Sequence, residues 1–501
     1  MLKIHPSVIN SALRRNTAAV RRRLLGNKGS FSSLSREPLS RDARQYHSSP
    51  STFQTTSSTS PSPQNNNCQL ARDNVLCATT GLLQFETLHE LQHNACRAFA
   101  SNNLFGTYSS ASSQYDWMTY TEFQTEVDTL RHILKHDLGI GPGDKVGIIS
   151  NNRWEWFGLA SAAYSLNAAV VPMYEAQRPS DWLYILNDAG VNALFVANDT
   201  LYDTAKQEVL DSVPTLRGTM VLDGTGPHSL EAAMERTNKD VSFLMRPKPL
   251  AKCRNAPTPA DLANLIYTSG TTGKPKGVEL THNNHVSNIN LVRAMVDDPT
   301  DFIRESDVSL AFLPWAHSFA LTCELGCFVA HGASLGISRG VTNLLEDLSL
   351  VQPTALFSVP TLYKRIYDGV HTLIETSSPL KGKAMKKALS LGREAHDAGG
   401  SENLPMGSRL AHTVLDSAIT SKIRGRFGGR LRHGFSGGAS LPKEISGFMD
   451  DLGIPIYEGY GLTETSPIIA INAPGNRTAG TVGRPGEGVT VIMIGKDGEV
   501  M

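Results

Sequence analysis

Residues 265–278 read Leu-Ile-Tyr-Thr-Ser-Gly-Thr-Thr-Gly-Lys-Pro-Lys-Gly-Val. An apolar run ending at Tyr267 passes into ten residues that hold three glycines, three threonines, one serine and two lysines. Glycine lets the backbone turn tightly and come close to a ligand. Successive N–H groups and hydroxyls can then surround phosphate oxygens, with lysine as countercharge. A Walker A loop needs Gly-x4-Gly-Lys-Ser/Thr. Here two residues separate Gly270 from Gly273, and Pro275 follows Lys274. The stretch is therefore a phosphate loop of another kind, or an ordinary Gly-Thr turn.

Outward from this loop, apolar strands alternate with helices. Strands are expected at 145–150, 168–174, 193–197, 218–222, 262–267, 308–313, 355–358, 431–436 and 455–457. Helices are expected at 154–164, 181–189 and 360–375, with a Lys-, Gly- and Ser-rich helical insertion at 376–410. Continuous apolar strands separated by helices imply an α/β fold with parallel sheets covered on both faces. The apolar run 319–336 carries Glu324 and His331 and reads as a buried segment, not a membrane span.

Three further turns carry candidate chemistry. Tyr457-Glu-Gly-Tyr-Gly-Leu-Thr-Glu-Thr465 sets a flat aromatic between glycines and a hydroxyl beside a carboxylate. That suits base stacking and a hard cation such as Mg2+. It equally suits a β-turn with a helix cap at Thr463. Phe435-Ser-Gly-Gly-Ala-Ser-Leu-Pro442 reads unaided as a strand-to-helix connection, and His317 in Leu313-Pro-Trp-Ala-His-Ser-Phe319 as a satisfied core histidine.

The 501 residues exceed one ordinary core and suggest two or three packed subdomains. Lys plus Arg and Asp plus Glu each number 47, so net charge gives no argument for nucleic acid or an anionic surface. The cysteines, Cys68, Cys77, Cys96, Cys253, Cys323 and Cys327, form no C-x-x-C pair and read as scattered reduced thiols. The start differs from the rest. Before Glu37 no acidic residue occurs, and Val8, Ile9, Ala12, Leu13, Val20 and Leu24 share one helical face opposite most of the arginines. Residues 1–46 are therefore expected to be a transit peptide, mitochondrial or, as the alternative, plastid. The Ser/Thr/Pro/Asn-rich residues 47–75 are expected to be a disordered linker.

From about Thr87 onward the chain resembles the adenylate-forming superfamily of AMP-forming acyl-CoA synthetases. The resemblance is carried by Thr268, Ser269, Gly270, Thr271, Thr272, Gly273, Pro275, Lys276 and Gly277, by Thr281-His282, and by the 457–465 segment. Val171-Pro-Met-Tyr-Glu175, the 359–367 stretch and Glu458–Pro467 resemble the long-chain branch in particular. The resemblance implies the large N-terminal domain of that fold over 76–501, with a smaller β subdomain. It implies activation of a fatty acid by ATP, with Mg2+, to acyl-AMP and then, with coenzyme A, to acyl-CoA. Thr268 to Gly273 and Lys276 would grip phosphates, with Thr271, Lys276 and Glu464 in catalytic roles. Gly437, Gly438 and Ala439 would pack on adenine together with Glu458, Gly459, Tyr460 and Gly461. Thr463 would contact the α-phosphate, Glu464 would hold Mg2+, and His317 and Phe319 would border the acyl pocket. Gly480 to Pro485 would be mainly structural. No Thr-Gly-Asp follows Thr481, so the resemblance leads us to expect an incomplete member without its C-terminal domain, with weak ATP binding and little acyl-CoA formed. A ligase for another carboxylic acid, a short-chain dicarboxylate or an aryl acid, and a non-catalytic nucleotide or acyl binder, are the competing readings. All the expected partners are small molecules, with peripheral membrane contact allowed and no nucleic acid.

Overall fold

The computed structural model describes residues 75–77, 80–239, 256–269, 273–296 and 302–490. The expected leader, nearly all of the expected linker, and Gly270, Thr271 and Thr272 lie outside them. Fifteen strands are described: β1 (Asn103–Ser109), β2 (Gln114–Thr119), β3 (Lys145–Ile149), β4 (Ala169–Met173), β5 (Ala193–Asn198), β6 (Gly218–Asp223), β7 (Leu262–Thr268), β8 (Lys276–Thr281), β9 (Val308–Ala311), β10 (Ser334–Ile337), β11 (Ala355–Ser358), β12 (His433–Ser436), β13 (Ile456–Gly461), β14 (Ile468–Ile471) and β15 (Arg484–Pro485).

They form two sheets. One runs β6-β5-β3-β4-β7-β8, parallel except for the β7–β8 hairpin. The other runs β15-β14-β13-β12-β11-β9-β10-β1-β2, with parallel pairs from β13 to β1 and antiparallel pairs at both ends. The β13-β14-β15 ladder is its smaller antiparallel portion. The parallel strands β4, β5 and β11 read as apolar runs because both faces are covered, and β4 and β11 are buried throughout. The hairpin β1–β2, the strands β8, β10 and β14, and the helix His282–Ala294 go beyond the sequence pattern, being short or polar on one side.

Several boundaries have a local cause. The strand expected over 308–313 stops at Ala311 because the Asn152 amide holds the next residues in a turn. Its Nδ2 donates to Leu313 O (2.7 Å) and Ala311 O (3.2 Å), and its Oδ1 accepts from Trp315 N (2.8 Å). Helix His282–Ala294 starts at Thr281 with a capping box shared with Asn284. The Phe319–Gly326 segment is a π-helix, buried from Ala320 onward. The insertion is ordered as the helix Pro379–Asp397, a short turn, and the helix Met406–Leu415. Cys96, Cys323 and Cys327 are free and buried, as scattered thiols should be, whereas Cys77 is disulfide-bonded and corrects that reading. No helix among the described residues is long and apolar enough to cross a membrane.

Candidate active site

Parallel sheets present ligands to the carboxyl ends of their strands. Here the ends of β7, β12 and β13 and the loop after β9 converge on one cavity of about 340 Å³. Its inner wall is apolar: Val292, Ile303, Phe319, Cys323, Phe357, Phe435 and Ile468. The Phe357 and Phe435 rings stack at 4.2 Å and 11°, giving that wall a rigid aromatic base. Its rim is polar and glycine-rich: Thr268, Ser269, Ser436, Gly437, Gly438, Gly459, Tyr460, Gly461, Thr463 and Glu464. A second cavity of about 490 Å³ lies beside it, lined by Thr268, Ser269, Gly273 and Pro275 on one hand and Tyr174, Gln177, Arg178 and Asp181 on the other. Thr268, Ser269, His317 and Thr463 line both.

The loop side is built by the β7–β8 hairpin, whose last pair is Thr268 with Lys276. Gly277 leaves little room for a side chain there, since a Cβ would stand 3.0 Å from the Tyr267 ring. That ring is fixed by its hydroxyl, which donates to Asp188 Oδ2 at 2.6 Å. Gly273 takes φ +95°, a conformation that glycine adopts readily. Lys276 is exposed and lines neither cavity, but directly opposed residues share a face of a ladder, so it stands on the same side as Thr268.

His317 borders both cavities. Its Nδ1 accepts from Phe319 N–H at 3.2 Å, so the neutral ring carries its proton on Nε2. Desolvation by the cavity walls around it holds its pKa below the usual imidazole value, which favours the neutral ring at pH 7. Ser318, beside it, is buried and donates to Thr463 Oγ1 at 3.4 Å, joining the two sides of the site. Phe319 lies under Gly437: a Cβ there would stand 3.1–3.2 Å from three ring carbons. Tyr460 is 50% exposed at the rim, with its ring available for stacking.

The segment after β13 is a single 3-10 turn, Thr463–Thr465, followed by a cis Ser466–Pro467 bond. It is not the longer helix that a cap at Thr463 would start. Asn288 secures it from the helix that follows β8: its Oδ1 accepts from Ile468 N at 2.7 Å and its Nδ2 donates to Thr465 O at 3.3 Å. Asn152 and Asn288 both escape sequence reading, because a lone asparagine carries no periodic signal.

Besides Lys276, two expected site residues line neither cavity. Ala439 is exposed and lines neither cavity. Glu458 is buried, and its carboxylate accepts from Leu441 N (3.3 Å) and Gly480 N (3.2 Å). It ties two loops to β13 instead of facing the ligand space. Burial raises its pKa, against those two amide bonds. Gly480 to Pro485 acts structurally, through that amide and through β15.

Glu464 is exposed, and it alone among the described carboxylates lines the first cavity. No cluster of three His, Cys, Asp or Glu fit to hold a metal occurs among the described residues. One carboxylate at the rim of this cavity fits Mg2+, which takes one or two carboxylates plus substrate phosphates, and does not fit a metal held by protein alone.

The family model of the AMP-binding enzyme matches residues 97–501. A long-chain-fatty-acid–CoA ligase, FadD15, of Mycobacterium bovis is 35% identical over 367 residues, which are 73% of this chain and 58% of that protein. Long chain acyl-CoA synthetase 7, peroxisomal, of Arabidopsis thaliana is 31% identical over 420 residues, 81% of this chain and 57% of that protein. The chain thus spans a little over half the length of these relatives. Among solved structures, the N-terminal domain of FACL13 from Mycobacterium tuberculosis matches with a TM-score of 0.59 at 18% identity, covering 83% of this chain and 87% of that one. That match bears out the α/β fold.

Proposed function

Because this chain belongs to the AMP-binding enzyme family, we propose that its site joins ATP to a long-chain fatty acid as an acyl-adenylate, whose acyl group then passes to coenzyme A. The observation that carries this reading is the two-part cavity: an aromatic, apolar floor meets a glycine- and hydroxyl-rich rim at His317 and Thr463. The long-chain class is supported by what the two relatives are named for.

In this reading the acyl chain lies along Phe319, Phe357 and Phe435, which brings its carboxylate to His317. The neutral imidazole donates from Nε2 and orients that carboxylate without taking its charge away. A carboxylate oxygen attacks the α-phosphorus, and the bond from phosphorus to the pyrophosphate oxygen breaks. Thr463 steadies the α-phosphate, while Thr268, Ser269 and Gly273 receive the departing pyrophosphate on the side of the second cavity. Positioning and charge stabilisation supply most of the rate in such a displacement. Glu464 would hold Mg2+, which supplies countercharge for the phosphates when bound. A coenzyme A thiolate then attacks the acyl carbon and AMP leaves.

Pyrophosphate release from ATP, with and without hexadecanoate, tests this. Acid-dependent pyrophosphate and AMP are expected; ADP and phosphate, or release indifferent to the acid, would overturn it. The basic, acid-poor residues 1–46 support delivery to the mitochondrion. A reporter fused to residues 1–60 should then leave the cytosol, and one that stays there refutes that part.

A further inference from the structure

The helix Met406–Leu415 is inverted relative to an ordinary surface helix. It carries Met406, Leu410, Val414 and Leu415, yet none of its residues is buried. Met406, Leu410 and Val414 recur every four residues and are 91%, 67% and 58% exposed. At 100° per residue they stay within one stripe about 80° wide. The helix packs by its other side on the helix Pro379–Asp397, so the stripe faces away from the core. An exposed apolar stripe on a soluble fold marks an interaction surface.

Charge decides the partner. Residues 379–430 hold ten Lys and Arg against four Asp and Glu, in a chain whose totals balance at 47 each. Lys381, Lys383 and Lys386 are exposed on the supporting helix, and Arg409 is exposed beside the stripe. A second copy would bring the same positive charge, and so would this chain's own arginine-rich start. A lone helix face is convex and offers no pocket, whereas a structured partner would cover about 800 Å² per side. An apolar stripe flanked by basic residues is how helices lie in the interface of a bilayer with anionic lipid.

We propose that the Met406–Leu410–Val414 face seats this protein on an anionic lipid surface, lying in the headgroup plane. The stripe enters the acyl boundary while the lysines and Arg409 meet the headgroups. For an enzyme acting on a poorly soluble acid, this would place the protein where that acid dissolves. The surface itself does not depend on the ligase reading, because binding needs neither ATP nor fatty acid.

Hydrogen–deuterium exchange of the full chain, with vesicles of phosphatidylcholine alone or mixed with phosphatidylglycerol, reads this face separately from residues 1–46. Protection of 406–415 by the mixed vesicles is expected, weaker with phosphatidylcholine and reduced by salt. The double variant Leu410→Asp, Val414→Asp changes only exposed side chains. It should lose that protection and bind at least about tenfold more weakly. Exchange at 406–415 unchanged by anionic vesicles would overturn the proposal. So would equal protection in the double variant, or a lipid-free dimer that the double variant dissociates, which would assign the face to a second copy.

Discussion

Replacing Glu324 by glutamine should make the protein more stable as the pH rises, by an amount that grows with pH. Glu324 is fully buried on the segment Phe319–Gly326, next to Cys323 of the cavity wall. Ser309 Oγ donates to Oε1 at 2.6 Å, and Oε2 has no hydrogen-bond partner among the described residues. Burial pushes this carboxyl from 4.5 up to about 8. The folded-state pKa is raised, so the contribution to stability is fully present below 4.5, where both states are protonated. Above that the unfolded chain gives up the proton and the fold does not. Stability then falls by about 1.4 kcal/mol per pH unit until the folded group ionises near 8. Glutamine keeps the acceptor for Ser309 and cannot titrate. From pH 5 to pH 8 the variant should therefore gain on the parent by up to about 4 kcal/mol, and by at least about 2 kcal/mol after local relaxation. Urea unfolding followed by tryptophan fluorescence at pH 5, 6, 7 and 8 measures this. A difference between variant and parent that does not change with pH would refute the assignment of a buried, protonated acid.

Glu464→Gln removes an exposed carboxylate, so melting temperature should be unchanged while fatty-acid-dependent pyrophosphate release falls roughly 100-fold; a variant of near-parental rate would dismiss the Mg2+ role. Gly461→Ala would drive a Cβ into the backbone carbonyl oxygen of Pro467. A loss of more than about 3 kcal/mol is expected by thermal unfolding, and an unaltered melting point would contradict the close approach of β13 and β14. Asn288→Ala leaves Ile468 N–H and Thr465 O without their partner. It should cost about 1–3 kcal/mol and raise the KM for ATP more than it lowers kcat, and a change in kcat alone would argue against a positioning role.

The fold was legible where sequence and burial share a period. The strands β3 to β7 are apolar runs because parallel sheets are covered on both sides, and their helices begin and end close to where expected. The 268–277 loop and the 457–465 turn stood out as candidate site segments because glycine and threonine cluster in both, with two lysines in the first, beyond what a turn needs. What escaped depends on contacts between distant segments. Asn152 and Asn288 are single polar residues whose partners lie over a hundred residues away. Glu458 sits among ligand-facing neighbours, yet its side chain points to two backbone amides from other loops, which no local spacing reveals. Thr463 looked equally like a helix cap. Only the fold shows a three-residue turn bonded across the site to Ser318.

The central claim is that one cavity holds an acyl chain and an adenylate at once. The most direct measurement is calorimetric binding of a non-hydrolysable mimic, hexadecanoyl-sulfamoyl-adenosine, to the full chain. Binding at least about 100-fold tighter than ATP or hexadecanoate alone is expected, since the joined species occupies both halves of the site. Gly437→Val should abolish that gain by driving the Phe319 ring into the apolar wall. Binding no tighter than ATP alone, or a gain that survives Gly437→Val, would contradict the account.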